Sequence, residues 1–365
     1  MPRVEIVGLT KTYGPIKALD GVDLTVEDRE YVSILGPSGC GKTTLIKCIA
    51  GIVEPTKGEI YIDGKAVHKL KPEDRDVGYV FQEIALFPHM NVWNNVTYGP
   101  RVRGWSADRT RSLAIEMLDM MGLEDRSSAY PIELSGGAGQ KTAVARAVSS
   151  GSTLLILDEP LGALDAKVRS DLRYRLRELV KDLNLTAIHV THDQEEAMSI
   201  SDRVVVMRAG RIVEEGTPMQ LYLNPKRIFT ANFLGEANFL SGRVLEVREG
   251  GAFVEVCGCR LWTRDEKHKP GEDVVVCIRP EFVSIRRATG KCALQGIIGD
   301  IMFEGGVVRY EVSISDGVSI LSDCAAGLEP ADLRRGDMVE IDIASENVLI
   351  FPCPPEGLAK EVSLE

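Results

Sequence analysis

The chain has 365 residues, of which 44% are hydrophobic and 27% charged, and its formal net charge is −11 at pH 7. This length predicts two or three domains with real cores, and the acidic balance argues against nucleic-acid binding through a broad basic face. No apolar run approaches the ~20 residues that span a bilayer, and the start of the chain lacks an apolar signal segment. We expect a cytoplasmic chain that does not itself cross a membrane.

The first strong pattern along the chain is a glycine-rich loop between a predicted strand and a predicted helix. The apolar run Tyr31–Leu35 predicts the strand, and Leu45–Ala50 predicts a helix that ends at Gly51. Between them lies the phosphate-binding pattern G-x-x-x-x-G-K-[ST], in which backbone N–H groups and a helix N-terminus surround an anion. Its residues are Gly36, Pro37, Ser38, Gly39, Cys40, Gly41, Lys42, Thr43 and Thr44.

Two side chains of this loop carry its chemistry. Lys42 is expected to reach the terminal phosphates of a nucleotide, and the Thr43 hydroxyl is expected to ligate Mg²⁺. The alternative is a glycine loop that precedes a helix by chance, which the complete pattern and its flanks disfavour.

Helices and strands alternate over the next part of the chain. Ser106 predicts the N-cap of a helix that ends before Gly122, and a second amphipathic helix covers Val168–Leu183. Three β-rich apolar runs accompany them, and this alternation predicts an α/β core. The runs are Leu154–Leu157, Ala187–Val190 and Val204–Met207.

An acidic pair follows the first of these runs. Asp158 at the end of a buried strand is suited to hold the water shell of Mg²⁺, and Glu159 is suited to accept a proton from an attacking water. Such a pair is a weak signal alone and becomes strong behind a phosphate loop.

Six motifs in one order resemble the ATPase domain of ABC transporters. They are the phosphate loop, Gln82, Leu134–Gly137, Leu154–Pro160, Ala163–Asp165 and His192. The resemblance covers residues 1–235 and implies a P-loop NTPase domain of the α/β class with a helical subdomain, which binds and hydrolyses ATP with Mg²⁺. It also implies a head-to-tail homodimer with two ATP molecules between the subunits.

The resemblance assigns roles to four further residues. Tyr13 is expected to stack on adenine, with an ordinary core residue as the alternative. Gln82 is expected to contact Mg²⁺ and the attacking water and to link the site to a membrane partner. His192 is expected to contact the γ-phosphate, and Asp165 to lie at the dimer interface.

The signature segment carries the contact to the second subunit. Ser135, Gly136 and Gly137 are expected to bind the γ-phosphate of the ATP held by the other subunit, at a helix N-terminus. The segment departs from the usual family pattern, which continues with Gln and ends in Arg, and this puts the contact between subunits in question. The departing residues are Ala138, Gly139 and Lys141.

The segment after Gln82 resembles that of bacterial and archaeal importer ATPases. In that family it docks a helix of the permease, and Leu86, Phe87 and Met90 are the apolar residues expected at this contact. A core-packed segment is the alternative. The resemblance implies integral membrane permease subunits, an indirect solute-binding protein and a position at the cytoplasmic face of a prokaryotic membrane.

The character of the chain changes after Gly235, where short strands and turn glycines predict an all-β domain over 236–365. Residues 271–285 align without gaps on 336–350, which indicates two related β-barrel units, with convergent strand and turn chemistry as the alternative. These units and Ile278–Glu281 resemble the oligonucleotide-binding-like (TOBE) regulatory domain of the maltose, polyamine and ferric-iron importer ATPases. The linker Gly235–Leu240 is nearer to the iron, polyamine and phosphonate branch than to the sugar branch.

Two other functional classes share part of this pattern. Soluble ABC-type ATPases of translation or DNA repair usually carry two nucleotide domains, zinc modules or coiled-coil insertions and basic surfaces, and this sequence shows none of them. A regulatory binding module without turnover would not need Glu159 and His192. The ATPase subunit of an importer is the favoured interpretation, whereas the transported solute is weakly encoded because it contacts the binding protein and the permease.

The eight cysteines do not have the spacing of a metal site. Cys257 and Cys259 are separated by one residue, and no second Cys or His pair with zinc-ligand spacing lies nearby. We expect buried reduced thiols.

Overall fold

The structure, a computed structural model, describes residues 2–162, 164–288, 294–315, 317–328 and 333–363. They fall into two compact units, Met1–Met219 and Gln220–Glu365. Ala163 of the predicted Ala163–Asp165 motif lies outside the described residues. In the part of the chain that is described, no helix combines the length and the apolar character needed to span a membrane.

The first unit combines strands and helices, as the alternating pattern predicts. Its strands are β1 (Val4–Tyr13), β2 (Ile16–Val26), β3 (Tyr31–Leu35), β4 (Lys57–Ile62), β5 (Lys65–Ala66), β6 (Val77–Val80), β7 (Leu154–Asp158), β8 (Thr186–Thr191), β9 (Arg203–Arg208) and β10 (Arg211–Gly216). Its helices are α1 (Lys42–Ala50), α2 (Val92–Val102), α3 (Ala107–Met121), α4 (Gly136–Ser149), α5 (Ala166–Asp182) and α6 (Gln194–Ile200), and α7 (Pro218–Leu223) connects it to the second unit.

A six-stranded sheet in the order β10-β9-β3-β8-β7-β6 is the scaffold of this unit. All neighbours from β9 to β6 pair in parallel, and only β10 is antiparallel. Strands β3, β7 and β8 are buried along their whole length, as expected for parallel strands covered on both faces. The carboxyl ends of parallel strands meet at one edge, so the loops after β3, β6, β7 and β8 open together. A separate antiparallel sheet has the order β2-β1-β4-β5.

Two helix predictions are confirmed. Helix α3 begins after Ser106, whose side chain accepts a hydrogen bond from the N–H of Arg109, and it ends at Gly122 in the left-handed conformation with φ 62°. Helix α5 covers the predicted second helix and buries Leu172 and Leu176 on its apolar face.

The second unit consists mainly of β-strands. They are β11 (Asn238–Arg248), β12 (Gly251–Val256), β13 (Cys259–Thr263), β14 (Asp273–Ile278), β15 (Val283–Arg287), β16 (Gln295–Phe303), β17 (Val307–Ser315), β18 (Val318–Ala325), β19 (Met338–Ile343) and β20 (Leu349–Pro352). They form two five-stranded antiparallel sheets, β13-β12-β11-β14-β20 and β15-β19-β16-β17-β18. The helices of this unit are α8 (Ile228–Phe233) and α9 (Leu358–Val362).

The two copies of the internal repeat exchange their last strands. The two sheets have the same order when β13, β12, β11, β14 and β20 are matched with β18, β17, β16, β19 and β15. The last strand of each repeat pairs in the sheet of the other, and the registers correspond: Val275 opposite Phe351 matches Glu340 opposite Arg286. The predicted β-rich repeat is present, and each sheet is completed by a strand of the other repeat around one shared core.

The boundary between the two compact units lies between Met219 and Gln220, before the change in sequence character near Gly235. Helix α8 precedes that point, yet its Ile228 and Ala231 pack against Cys277 and Phe351 of the β-sheet region. These long-range apolar contacts assign the helix to the second unit.

A buried arginine ties the end of this helix to the sheet. Arg279 of the predicted Ile278–Glu281 motif is 2% exposed. Its Nη1 donates to the carbonyl oxygens of Ala231 and Gly235 at 2.8 and 2.7 Å. Its guanidinium also lies 4.2 Å from the ring centroid of Tyr222. A charge this deeply buried is tolerated because carbonyl groups and an aromatic face replace its water shell.

We expect a chain that ends at Met219 to fold and bind ATP, and one that ends at Gly235 to melt at lower temperature or aggregate. The longer chain keeps α8 but loses the strands that cover Ile228, whose full burial is worth roughly 1.5–3 kcal/mol. Thermal unfolding and ATP titration of both truncations and of the full chain check this. A higher melting temperature for the chain that ends at Gly235 would contradict the assignment of α8.

The cysteine prediction is partly wrong. Cys40, Cys48 and Cys277 are buried, whereas Cys257 and Cys353 are exposed, since they lie in a hairpin turn and beyond β20. All seven described cysteines are free. Burial raises the pKa of Cys48 to about 11 and that of Cys277 to about 12, so these thiols stay protonated.

Candidate nucleotide site

The glycine-rich loop connects β3 to α1 at the open edge of the sheet. Gly39 and Gly41 have φ of 79° and 107°, which only glycine adopts readily. A Cβ at Gly41 would collide with the carbonyl oxygen of Ala18, so the loop lies directly against β2. Glycines in this conformation suit a loop whose backbone N–H groups surround an anion.

Lys42 is the first residue of α1 and is 5% exposed. Its Nζ donates to the carbonyl oxygens of Gly36 and Pro37 at 2.6 and 2.9 Å. The ammonium therefore lies against the loop at the N-terminus of α1. The ammonium and the helix dipole both contribute positive potential there.

The loop threonine and the strand aspartate meet. Thr43 Oγ1 donates to Asp158 Oδ1 at 3.2 Å, although 115 residues separate them along the chain. Asp158 is 3% exposed at the end of β7. Its other oxygen, Oδ2, accepts a hydrogen bond from the hydroxyl of Tyr79 at 3.0 Å, a contact that sequence reasoning missed.

Two predicted residues converge on the predicted general base Glu159. Gln82 Nε2 donates to Glu159 Oε2 at 3.1 Å, and His192 Nδ1 lies 3.2 Å from the same oxygen. Glu159 has a left-handed φ of 46°, a conformation that costs a non-glycine residue roughly 1–3 kcal/mol. Its N–H donates to the carbonyl oxygen of Val190 on β8 at 2.9 Å, which secures this turn.

A buried polar chain that sequence reasoning also missed lies behind His192. His189 on β8 is fully buried, with Nδ1 3.1 Å from the Tyr31 hydroxyl and Nε2 3.0 Å from Glu196 Oε1. Glu196 Oε2 accepts from Thr191 Oγ1 at 2.6 Å. Burial raises the pKa of Glu196, whereas His189 and Thr191 lower it by a larger amount. The pKa of Glu196 therefore lies below its usual value. These hydrogen-bonded side chains anchor the end of β8, which His192 follows.

The signature residues form the start of α4. Ser135 is its N-cap and accepts a hydrogen bond from the N–H of Ala138 at 3.3 Å. A Cβ on Gly137 would lie 2.7 Å from Val168 Cγ1, so a glycine is needed for the close approach of α5. Ser135 and Gly136 are exposed, and Gly137 is half-buried.

The departures from the family signature are accommodated within the same helix. Lys141 Nζ forms an ion pair with Asp171 Oδ2 of α5 at 3.0 Å. Gly139 is buried, and a Cβ there would lie 3.3 Å from Ile84 Cδ1. The helix thus begins at Gly136 despite the intrinsic cost of Gly139.

Two predicted residues lie apart from the cluster around Glu159. Asp165 is the N-cap of α5 and accepts from the N–H of Val168 at 3.1 Å. Tyr13 at the end of β1 is 47% exposed, and Lys11 Nζ lies 5.0 Å from its ring centroid. This exposure excludes the alternative that Tyr13 is an ordinary core residue.

The segment after Gln82 is irregular and anchored by one side chain. Asn95 on α2 is fully buried; its Oδ1 accepts from the N–H of Phe87, and its Nδ2 donates to the carbonyl oxygen of Met90 at 2.9 Å. Leu86, Phe87 and Met90 are half-buried. The Phe87 ring lies 4.6 Å from the Tyr98 ring between centroids. These residues are therefore partly covered and partly accessible at the surface.

The donor set suits Mg²⁺ that arrives with a nucleotide. In the described residues, no group of three or more His, Cys, Asp or Glu could hold a metal ion alone. The Thr43 hydroxyl and the Asp158 carboxylate are oxygen ligands next to a phosphate loop, and Mg²⁺ commonly uses one or two carboxylates together with substrate phosphates.

Comparison with protein families gives two matches. Residues 19–162 match the ABC transporter family, and residues 276–351 match the TOBE domain. The first match contains the phosphate loop and the Asp158–Glu159 pair. The second match covers much of the two five-stranded sheets of the second unit.

Full-length relatives extend the likeness. The chain is 40% identical over 325 residues to the spermidine/putrescine import ATP-binding protein PotA of Haemophilus ducreyi, covering 87% of this chain and 88% of the relative. It is 40% identical over 324 residues to the Fe(3+) ions import ATP-binding protein FbpC of Brucella abortus, covering 88% and 91%. It is 39% identical over 356 residues to the sulfate/thiosulfate import ATP-binding protein CysA 2 of Chromobacterium violaceum, covering 96% and 95%.

Solved structures are similar to 59–60% of the chain. A dimeric ATP-binding cassette in a post-hydrolysis state bound to ADP and Pi is similar with TM-score 0.54 and 33% identity, over 59% of this chain and 98% of that one. The structure of cbiO1 from Clostridium perfringens, part of the ABC transporter complex cbiONQ, is similar with TM-score 0.56 and 30% identity, over 60% and 89%. The chain belongs to the ABC transporter family as an ATP-binding subunit of the import type with a C-terminal TOBE domain, an ATPase that couples hydrolysis to transport.

Proposed function

We propose that two copies of this chain bind two MgATP molecules and use their hydrolysis to drive solute uptake through membrane permease subunits. The observation that carries this proposal is the convergence of Gln82 and His192 on one oxygen of Glu159. This cluster lies at the same sheet edge as the Thr43–Asp158 contact and the phosphate loop.

The residues at this edge of the sheet have different roles in phosphoryl transfer. Lys42 and the loop N–H groups hold the phosphates. Thr43 and Asp158 hold Mg²⁺, which when bound neutralises charge on the β- and γ-phosphate oxygens. Glu159 accepts the proton of the attacking water. Gln82 and His192 fix the orientation of the Glu159 carboxylate.

Further contacts of Gln82 and His192 complete this proposal. Gln82 contacts the metal and the attacking water, and His192 contacts the γ-phosphate. Tyr13 stacks on adenine, which its exposed ring at the end of β1 permits.

The proposed homodimer is supported by Ser135 and Asp165, whose side chains cap helices. Ser135 and Asp165 each cap their own helix, where they accept hydrogen bonds from the N–H groups of Ala138 and Val168. Ser135, Gly136 and Gly137 bind the γ-phosphate of the ATP held by the partner subunit, and Asp165 lies at the interface. The dimeric cassette bound to ADP and Pi supports this arrangement by similarity.

A groove between α2 and α3 supports permease docking. It has a volume of about 590 Å³ and is lined by residues of the two helices, including Trp93 and Thr110, and by Trp105 from the connection between them. We place the contact with the permease at this groove and at Leu86, Phe87 and Met90. The chain then works at the cytoplasmic face of a prokaryotic membrane, with a solute-binding protein as an indirect partner.

The solute class is proposed from the relatives. Their names specify polyamines, ferric iron and sulfate or thiosulfate. Together with the linker Gly235–Leu240, they favour an iron or polyamine type of solute over a sugar. The TOBE domain, over 236–365, is proposed to regulate transport.

Phe87→Ser is expected to reduce assembly with the permease subunits and the hydrolysis that they stimulate. The change removes apolar contact area, worth about 1.5–3 kcal/mol if it is fully buried in the complex. The ATP affinity of the isolated subunit should be retained, because the proposed nucleotide contacts do not include this side chain. Recovery of the complex after co-expression with the membrane subunits, together with thermal unfolding of the isolated variant, checks both statements.

Phe303→Ser is a matched control, because Phe303 is 74% exposed and lies in the second unit. A much lower melting temperature of isolated Phe87→Ser with normal assembly would identify Phe87 as core. Failure of the unaltered chain to co-purify with membrane subunits would refute the transport proposal and favour a soluble ABC-type ATPase.

A further inference from the structure

Both oxygens of the Asp158 carboxylate have a hydrogen-bond donor, and the two donors come from different elements. Thr43 Oγ1 donates to Oδ1 at 3.2 Å from the phosphate loop. Tyr79 donates its hydroxyl hydrogen to Oδ2 at 3.0 Å from β6, which is the parallel neighbour of β7. The two contacts together fix the plane of the carboxylate.

The Tyr79 hydroxyl is held in place and remains a donor. Its ring lies 4.5 Å from the Phe81 ring between centroids. A tyrosine hydroxyl keeps its hydrogen at neutral pH, so it donates to the Asp158 carboxylate, which can only accept. Asp158 is 3% exposed and has little access to water, so it depends on such donors.

We propose that Tyr79 is a positioning residue for the magnesium carboxylate. This inference rests on the proposed function, in which Thr43 and Asp158 hold Mg²⁺. The Thr43 hydroxyl has lone pairs besides its hydrogen, so it can give a lone pair to the metal and still donate to Asp158 Oδ1. Tyr79 is the donor that occupies Oδ2 and keeps Oδ1 directed toward the metal and its water shell. Removal of the phenol oxygen frees the carboxylate to rotate.

The test is Tyr79→Phe in the full chain, which removes one oxygen and keeps the ring. We expect the metal concentration for half-saturation to rise about 10–100-fold, the usual range for loss of a hydrogen bond to a metal ligand. Mn²⁺ titration with ADP, followed by electron paramagnetic resonance, measures this without turnover. The Mg²⁺ dependence of ATP hydrolysis should shift in the same direction, and ADP affinity in EDTA should stay unchanged.

Tyr61→Phe is the matched control. Tyr61 also donates to a carboxylate, Glu59 Oε2 at 2.6 Å, but on the surface of the four-stranded sheet. Its removal should leave the metal titration unchanged. Tyr79→Met gives a second variant without a donor whose flexible side chain fills irregular space, in case the Phe variant is unstable.

The outcomes separate this inference from the proposed function. If the unaltered chain binds nucleotide without any dependence on metal, the proposed function fails. If the unaltered chain depends on metal and Tyr79→Phe matches it, the role of Tyr79 is refuted. An equal loss of nucleotide affinity with and without metal would also refute it, since Tyr79 would then support the fold of the site rather than the metal ligand.

Discussion

Glu159→Gln is expected to lower steady-state ATP hydrolysis by about 10²–10⁴-fold, the range that a positioned general base contributes. The amide has the shape of the carboxylate but cannot accept the proton of the attacking water. ATP binding should persist, because Lys42 and the loop hold the phosphates. An ATP-bound dimer should accumulate, since closure is no longer resolved by hydrolysis.

The measurements are the rate of phosphate release and the mass of the ATP-bound species. Glu195→Gln is a matched control on α6, because Glu195 forms an ion pair with Arg173 and its side chain is 82% exposed. Turnover of Glu159→Gln at the rate of the unaltered chain would reject Glu159 as the general base. Loss of ATP binding in this variant would instead indicate a damaged site.

The sequence predicts those parts of the site that are contiguous in the chain. The phosphate loop needs glycines at fixed positions before a helix, and this requirement is visible in nine neighbouring residues, Gly36–Thr44. The Asp158–Glu159 pair follows directly from the end of an apolar strand. In both cases local backbone geometry and the functional side chains coincide.

Contacts made across the sheet were not predictable from one sequence. Tyr79 meets Asp158 over 79 residues because β6 is the neighbour of β7. His189 reads as one more residue of a β-rich run, and its role behind His192 depends on Tyr31 and Glu196 on other elements. Strand order decides both contacts, and hydrophobic periodicity does not encode strand order.

The second unit shows the same limit. Its repeat was detectable because the turns and apolar positions align, but the exchange of β15 and β20 between the sheets leaves no local signal. The boundary between the two compact units lies before the predicted change near Gly235, and it likewise depends on carbonyl groups bound by Arg279. Since every residue type has a backbone carbonyl, the sequence does not reveal these contacts.

Lys42→Ala is expected to weaken ATP binding itself, in contrast to Glu159→Gln. A charged hydrogen bond of this kind contributes about 1.5–3 kcal/mol, so the dissociation constant should rise about 10–100-fold. Lys42 acts on the β- and γ-phosphates in the ground state as well as in the transition state, so both affinity and turnover should fall. Equilibrium titration with a fluorescent ATP analogue measures the affinity.

Lys47→Ala is the control, because Lys47 lies in the last turn of the same helix, away from the loop. It should retain the affinity of the unaltered chain. In Lys42→Ala the carbonyl groups of Gly36 and Pro37 lose their donor, so thermal unfolding must show that the loop variant is folded. An unchanged ATP affinity in folded Lys42→Ala would mean that the loop does not bind the phosphates, and the nucleotide would have to be held elsewhere. A selective loss in Lys42→Ala alone would place the terminal phosphates at the N-terminus of α1, within reach of Thr43 and Asp158.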